Sequence, residues 1–163
     1  MFLNCESLVN FDYPINIYIY GRRGTTYMTP TMLLMFGNTA VKNMTINVNF
    51  STSSSAYGYT HNIFSKMFSH SKVERVTING LVSWAGATDY ATRDNVSGMF
   101  GDCSNLTYVY APHLMLLEQS SSRSTGIMSN VPANGTIIVS NDDGISAGTN
   151  GVPATWTVEY ALN

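Results

Sequence analysis

The chain has 163 residues, 44% of them hydrophobic and only 11% charged, with a net charge of −2. That length fits one domain with a continuous core. The eight Lys and Arg residues are scattered singly or paired as Arg22-Arg23, so they form no basic stripe of the kind that neutralises nucleic-acid phosphates. No run approaches the ~18 apolar residues of a membrane span, and the first residues lack the basic-then-apolar pattern of a signal peptide.

Met1-Phe2 opens the chain and returns as Met35-Phe36, Met67-Phe68 and Met99-Phe100, at intervals of 34, 32 and 32 residues. A small residue follows each pair at one offset (Cys5, Thr39, Ser71, Cys103). Next come a branched aliphatic (Leu8, Val41, Val73, Leu106) and, three further on, an apolar residue (Phe11, Met44, Val76, Val109). An internal period of about 20–50 residues marks a solenoid, whose repeats bury their apolar faces against one another. Residues 1–126 read as four repeats of about 32 residues and 127–163 as a degenerate last repeat with a C-terminal cap, together one repeat domain.

The first repeat starts at its Met-Phe pair with no preceding helix start, so position 1 reads as a cut edge. A strand over residues 8–13 then follows. The edge is expected to self-associate through residues 1–20 or to be covered by upstream sequence, because an open strand edge templates pairing. The second, third and fourth repeats each begin with a short helix, capped at Thr29-Pro30, Thr60 and Thr92 with Asp94. Apolar residues at i, i+3 and i+4 (Met32, Met35, Phe36; Phe64, Met67, Phe68; Val96, Met99, Phe100) give each helix one inward face. Strands over 41–46, 73–78 and 106–111 follow, with period-two alternation predicting that Phe11, Tyr13, Met44, Ile46, Val76, Ile78, Val109 and Ala111 point inward. The return segments alternate at first (residues 15–20; Ile46, Val48, Phe50) and then become rich in Ser, Tyr and Gly. The chain closes on a strand ending at Val139, turns at Asn141-Asp-Asp-Gly144 and 148–153, and the Trp156 segment 155–160, read as a lid.

Cys5 and Cys103 occupy one repeat position three repeats apart. Stacked strands about 4.8 Å apart separate them by on the order of 14 Å, whereas a disulfide needs Cα atoms within about 7 Å. The expectation is two separate, buried thiols. His61, His70 and His113 have no metal-ligand spacing. Asn141-Asp-Asp-Gly144 lacks the alternating acidic ligands of a calcium loop. No carboxylate pair or nucleophile elbow appears. The reading is therefore non-enzymatic, with no catalytic residue, cofactor or metal.

The segment Val96-Ser-Gly-Met-Phe-Gly-Asp-Cys-Ser-Asn-Leu-Thr-Tyr-Val resembles the repeat of BspA-like bacterial leucine-rich-repeat surface proteins. Val131-Pro-Ala-Asn-Gly-Thr and Val152-Pro-Ala-Thr-Trp-Thr-Val are similar to the ends of such regions in gut bacteria and their phages. The long returns depart from the family's shorter period. The resemblance implies an α/β solenoid of about five units, a parallel sheet of short strands with short helices on the other side. It further implies adhesion or recognition at a bacterial cell surface or a virion, outside the cell. By analogy of fold, that is a prior for function and names no ligand.

Between the inward residues, two columns are expected on the outer sheet face: Asn10, Asn43, Arg75, Tyr108, and Asp12, Thr45, Thr77, Tyr110. Tyrosine gives contact area at low entropic cost, which nominates Arg75, Thr77, Tyr108 and Tyr110 for binding a protein or glycan. The competing reading is a merely solvated face. A second functional reading is a structural part of a phage virion or fibre.

Overall fold

The computed structural model describes residues 1–20, 32–51, 64–80, 96–112, 126–140, 145–149 and 151–162. Six strands form one sheet: β1 (Ile15–Tyr20), β2 (Asn43–Ser51), β3 (Arg75–Gly80), β4 (Tyr108–Tyr110), β5 (Thr136–Val139) and β6 (Thr157–Tyr160). They lie side by side in chain order, and every pairing is parallel. This is a stacked, repeat-like arrangement. Parallel neighbours cannot be joined by a hairpin, so each strand must return through a crossover before the next begins. The Ser-, Tyr- and Gly-rich stretches and the three proposed helix caps fall in those crossovers, outside the described residues.

Period two decides which side chains enter the core. Met44, Ile46 and Val48 of β2, Val76 and Ile78 of β3, Val109 of β4, and Ile137 and Val139 of β5 are buried, while the residues between them face outward. Met44, Val76, Val109, Ile137 and Val158 stand in one register, a continuous row across five strands. Ala111, just past β4, is also buried.

The first strand is not the one expected. Residues 8–13 form no strand, and the ladder begins at Ile15, which pairs with Ile46. The first unit carries two extra residues between Phe11 and the ladder. Pro14 lies directly before β1 and has no N–H to give to it. Tyr13 is consequently exposed rather than inward, and Asn10 and Asp12 lie outside the two outer columns. Phe11 is half-buried, packing edge-on against Phe2 (5.4 Å) and Phe36 (5.6 Å). Alternation in residues 15–20, read as part of a return, belongs to the strand itself.

No helix occurs among the described residues; turns stand where short helices were expected. Their amide donors alternate. Within a unit, Met67 donates to Phe64, Ser69 to Lys66 and Ser71 to Phe68, each an i→i−3 turn bond. The N–H groups between them cross to the next unit: Phe68 to Met99 (2.9 Å) and His70 to Gly101 (3.0 Å). Phe2 and Asn4, Phe36 and Asn38, and Phe100 and Asp102 do the same. An α-helix would send each of these donors to the carbonyl four residues back, so crossing bonds and helix exclude each other. Left-handed residues make the alternation possible: Leu34, Lys66 and Gly98 at one position, and Asn4, Asn38, His70, Asp102 and Asn130 at another, all with φ between 52° and 62°. Asn, Asp and His are the non-glycine types that enter this region most readily.

Inside the stack, Phe2, Phe36, Phe68 and Phe100 form a column of rings with successive centroids 5.5 Å apart and planes within 16° of parallel. Met67, Phe68, Met99 and Phe100 are fully enclosed. Both cysteines are free, and only Cys103 is buried. Cys103 Sγ lies 3.0 Å from the Phe68 carbonyl and 3.6 Å from Ser71 Oγ, so the preceding unit covers it. Cys5 has no such cover among the described residues, and the expectation that it is buried is incorrect. At the far end Trp156 is buried over the fifth unit, its indole N–H donating to the Pro132 carbonyl at 2.8 Å. A Cβ on Gly135 would come within 2.6 Å of the Trp156 ring, so only glycine lets the indole lie that close.

Candidate recognition surface

Outward side chains on β2 to β6 make two columns set by register: Asn43, Arg75, Tyr108, Thr136, Thr157, and Thr45, Thr77, Tyr110, Ile138, Glu159. Arg75 pairs with Tyr108, and Thr77 with Tyr110. The four nominated residues therefore occupy adjacent places on two neighbouring strands. The Arg75 guanidinium carbon stands 4.0 Å from the Tyr108 ring centroid, inside the roughly 6 Å range of cation–π attraction. Both tyrosines are half-buried, flanking the enclosed Val109. Arg75 itself is exposed, so the ring fixes the position of a charge that stays in water.

Beside this patch runs a feature that the columns did not anticipate. Asn79 donates its carboxamide N–H to Asn47 Oδ1, and Asn47 donates to Asn16 Oδ1, both at 2.9 Å. This asparagine ladder crosses β3, β2 and β1 on the outer face. Its sequence signal is Asn repeated at separations of 31 and 32 residues. Each amide satisfies its neighbour, which reduces what the ladder can offer to a ligand. At the Arg75–Tyr108 end the contact is a cation–π stack, and among the described residues no side chain accepts from the guanidinium N–H groups.

A second polar row follows the left-handed turn positions. Asn38 donates to Asn4 Oδ1 (3.2 Å) and Asn130 to Asp102 Oδ1 (2.9 Å), while His70 Nε2 lies 3.6 Å from Asp102 Oδ2. Ser69 Oγ sits 2.8 Å from His70 Nδ1. Ser, His and Asp thus meet, but Ser69 is buried and on the same strand of turn as the exposed ring. The grouping serves as a turn lock more readily than as an activated nucleophile, which needs an accessible hydroxyl. A cleft of about 310 Å³ beside it is lined by Leu3, Leu34, Asn4, Asn38, Ser69 and His70. Among the described residues no group of His, Cys, Asp or Glu is placed to hold a metal ion, and no helix is long and apolar enough to cross a membrane.

The fold and face together define a parallel, repeat-stacked sheet protein with an Arg/Tyr patch on its exposed side. Comparison with protein-family models, with characterised proteins and with solved structures finds no match.

Proposed function

We propose that the chain is a leucine-rich-repeat-like solenoid of the BspA-like kind, acting as a non-enzymatic recognition or adhesion module at a bacterial cell surface or on a virion. Its ligand is a protein or glycan held against Arg75, Thr77, Tyr108 and Tyr110. The observation that carries this reading is the Arg75–Tyr108 stack at 4.0 Å with Thr77 and Tyr110 beside it in register. A planar ring and a fixed cation suit the apolar face and hydroxyls of a sugar, or an acidic peptide. Aromatic and Arg anchors also carry most of the energy in protein interfaces. No cofactor, nucleic acid or membrane insertion enters this reading.

The test is an array of glycans and host-surface proteins, followed by Tyr108→Ala and Tyr110→Ala on any ligand found. Each substitution should weaken binding about fivefold or more, the loss expected of an interface anchor worth above about 1 kcal/mol. A ligand whose affinity neither change alters would move the site elsewhere. The second reading, a structural part of a virion or fibre, is favoured by the exposed Met1, Leu3 and Val9 of the first unit. Contiguous exposed apolar groups mark contact surfaces.

A further inference from the structure

The outward face of the sheet is nearly free of charge. Across the six strands only Arg75 on β3 and Glu159 on β6 are charged, and the other described outward positions hold Asn, Thr, Tyr and Ile138. Beside the strands Lys42 pairs with Glu74 at 3.6 Å, and His70 lies 3.6 Å from Asp102. No carboxylate among the described residues reaches Arg75. Its guanidinium is exposed and held 4.0 Å from the Tyr108 ring centroid, a planar donor fork already in place. Such a fork matches a carboxylate through two parallel hydrogen bonds.

The surroundings discriminate between carriers of that carboxylate. An acidic peptide binds by adding a strand at a sheet edge or by laying its acidic groups on a cluster of arginines. Strands β3 and β4 are paired on both sides, so no main-chain ladder is open there, and Arg75 is a single cation. Hydroxyls are plentiful instead. Thr45, Thr77 and Thr136 are half-buried on the outer face, and no side-chain hydrogen bond joins them to a neighbour among the described residues, whereas the asparagines of the ladder bond to one another. A hydroxyl both donates and accepts, which complements a sugar. Tyr110 adds apolar ring surface. These positions recur at the strand spacing of about 4.8 Å, a run across the sheet that suits an extended chain better than one terminal sugar. Glu159, three strands from Arg75 and so on the order of 14 Å away, opposes a carboxylate on every sugar.

We propose, resting on the recognition reading above, that Arg75, Thr77, Tyr108 and Tyr110 bind a linear polysaccharide in which a uronic acid alternates with a neutral sugar. The chain lies across the strands. One carboxylate sits on the Arg75 guanidinium, the C–H face of the neighbouring neutral sugar on Tyr110, and sugar hydroxyls on Thr77 and Thr45.

The probe is a short oligosaccharide of alternating glucuronic acid and N-acetylglucosamine, compared by calorimetry on the full chain with the same molecule after its carboxylates are reduced to alcohols. Reduction should weaken binding at least tenfold. Arg75→Gln should lose a similar factor for the acid and almost nothing for the reduced form, a coupling that marks a direct contact. Arg75→Lys keeps the charge without the fork and should recover only part of the loss. Arg75 is exposed, so the unfolding midpoint of both variants should stay close to the parent's. Equal binding of acidic and reduced forms, or equal loss of both in Arg75→Gln, would overturn the carboxylate contact. Binding of an oligosaccharide with uronic acid at every position as tightly as the alternating one would overturn the alternation. A glutamate-rich peptide bound more tightly than the sugar, and lost with Arg75→Gln, would overturn the polysaccharide while leaving the recognition face in place. No binding of the oligosaccharide at millimolar concentration would overturn the inference as well, and the Tyr108→Ala and Tyr110→Ala results on the array ligand then decide separately whether the face binds anything.

Discussion

Met67 lies at the middle of the stack, fully enclosed, beside Lys66, whose N–H donates to the Ser97 carbonyl of the next unit at 2.9 Å. Truncating it leaves a void that neighbouring units cannot collapse to fill, since crossing hydrogen bonds hold their spacing. Met67→Ala should cost about 2–5 kcal/mol in urea unfolding, the range of large-to-small core changes. Met67→Leu nearly conserves volume and should cost under about 1.5 kcal/mol. Equal, small losses would remove the Met-Phe column from the core. Cys103 gives a prediction of another kind. Burial chiefly pushes its thiol up to about 11, with Ser71 opposing and Asp102 adding to the rise. The folded state thus holds the proton more tightly than the unfolded chain, whose thiol titrates near 9.0. The associated stability is complete below pH 9 and is lost as pH climbs from there through about 11. Cys103→Ser, which copies Ser71, should flatten that part of the stability–pH curve. An unchanged slope would mean that the thiol ionises freely in the fold.

The strands and the turns differed in how well they could be read from residues. Period two in Met44-Thr-Ile46, Val76-Thr-Ile78 and Val109-Tyr-Ala111 has one structural meaning, and each inward residue named there is buried. Apolar spacing such as Met32, Met35, Phe36 has two meanings, because a train of turns with left-handed residues also brings i, i+3 and i+4 to one side. Deciding between them needed the neighbours: Asn38, His70 and Asp102 recur two residues after each phenylalanine, where a helix gains nothing from them and a left-handed turn does. Arg75, Thr77, Tyr108 and Tyr110 were legible as a face for the same period-two reason. The asparagine ladder was missed because Asn16 was assigned to a return. Element geometry also sets a stability prediction. Lys66 and Leu34 hold φ of 52° and 55° where the fourth unit has Gly98, and a side chain in this region costs roughly 1 kcal/mol. Lys66 is exposed, so Lys66→Gly should stabilise the protein by a few tenths to about 1 kcal/mol, net of glycine's greater unfolded-state entropy. A loss above 1 kcal/mol on denaturation would show that the Lys66 side chain contributes packing that outweighs relief of its backbone.

At the scale of the molecule, the pairs of the sheet fix the spacing of units. Ile15 stands beside Ile46, Asn47 beside Asn79, Thr77 beside Tyr110, Tyr110 beside Ile138 and Ile138 beside Glu159, so the separation runs 31, 32 and 33 residues and then drops to 28 and 21. The shortening falls in the connections, since the ladder spacing of parallel strands cannot change. The repeat was legible because it recurs in the residues that must stack. The identity of the turn was not, because crossing bonds are a property of two units together and no single segment encodes them. Cross-unit hydrogen bonds at the turns hold the stack together, and NMR hydrogen-bond scalar couplings detect them one by one. Couplings should join the amide nitrogens of Phe36, Phe68 and Phe100 to the carbonyl carbons of Met67, Met99 and Ile127, respectively. Couplings from those amides to carbonyls four residues back in their own unit, with helical chemical shifts, would contradict it.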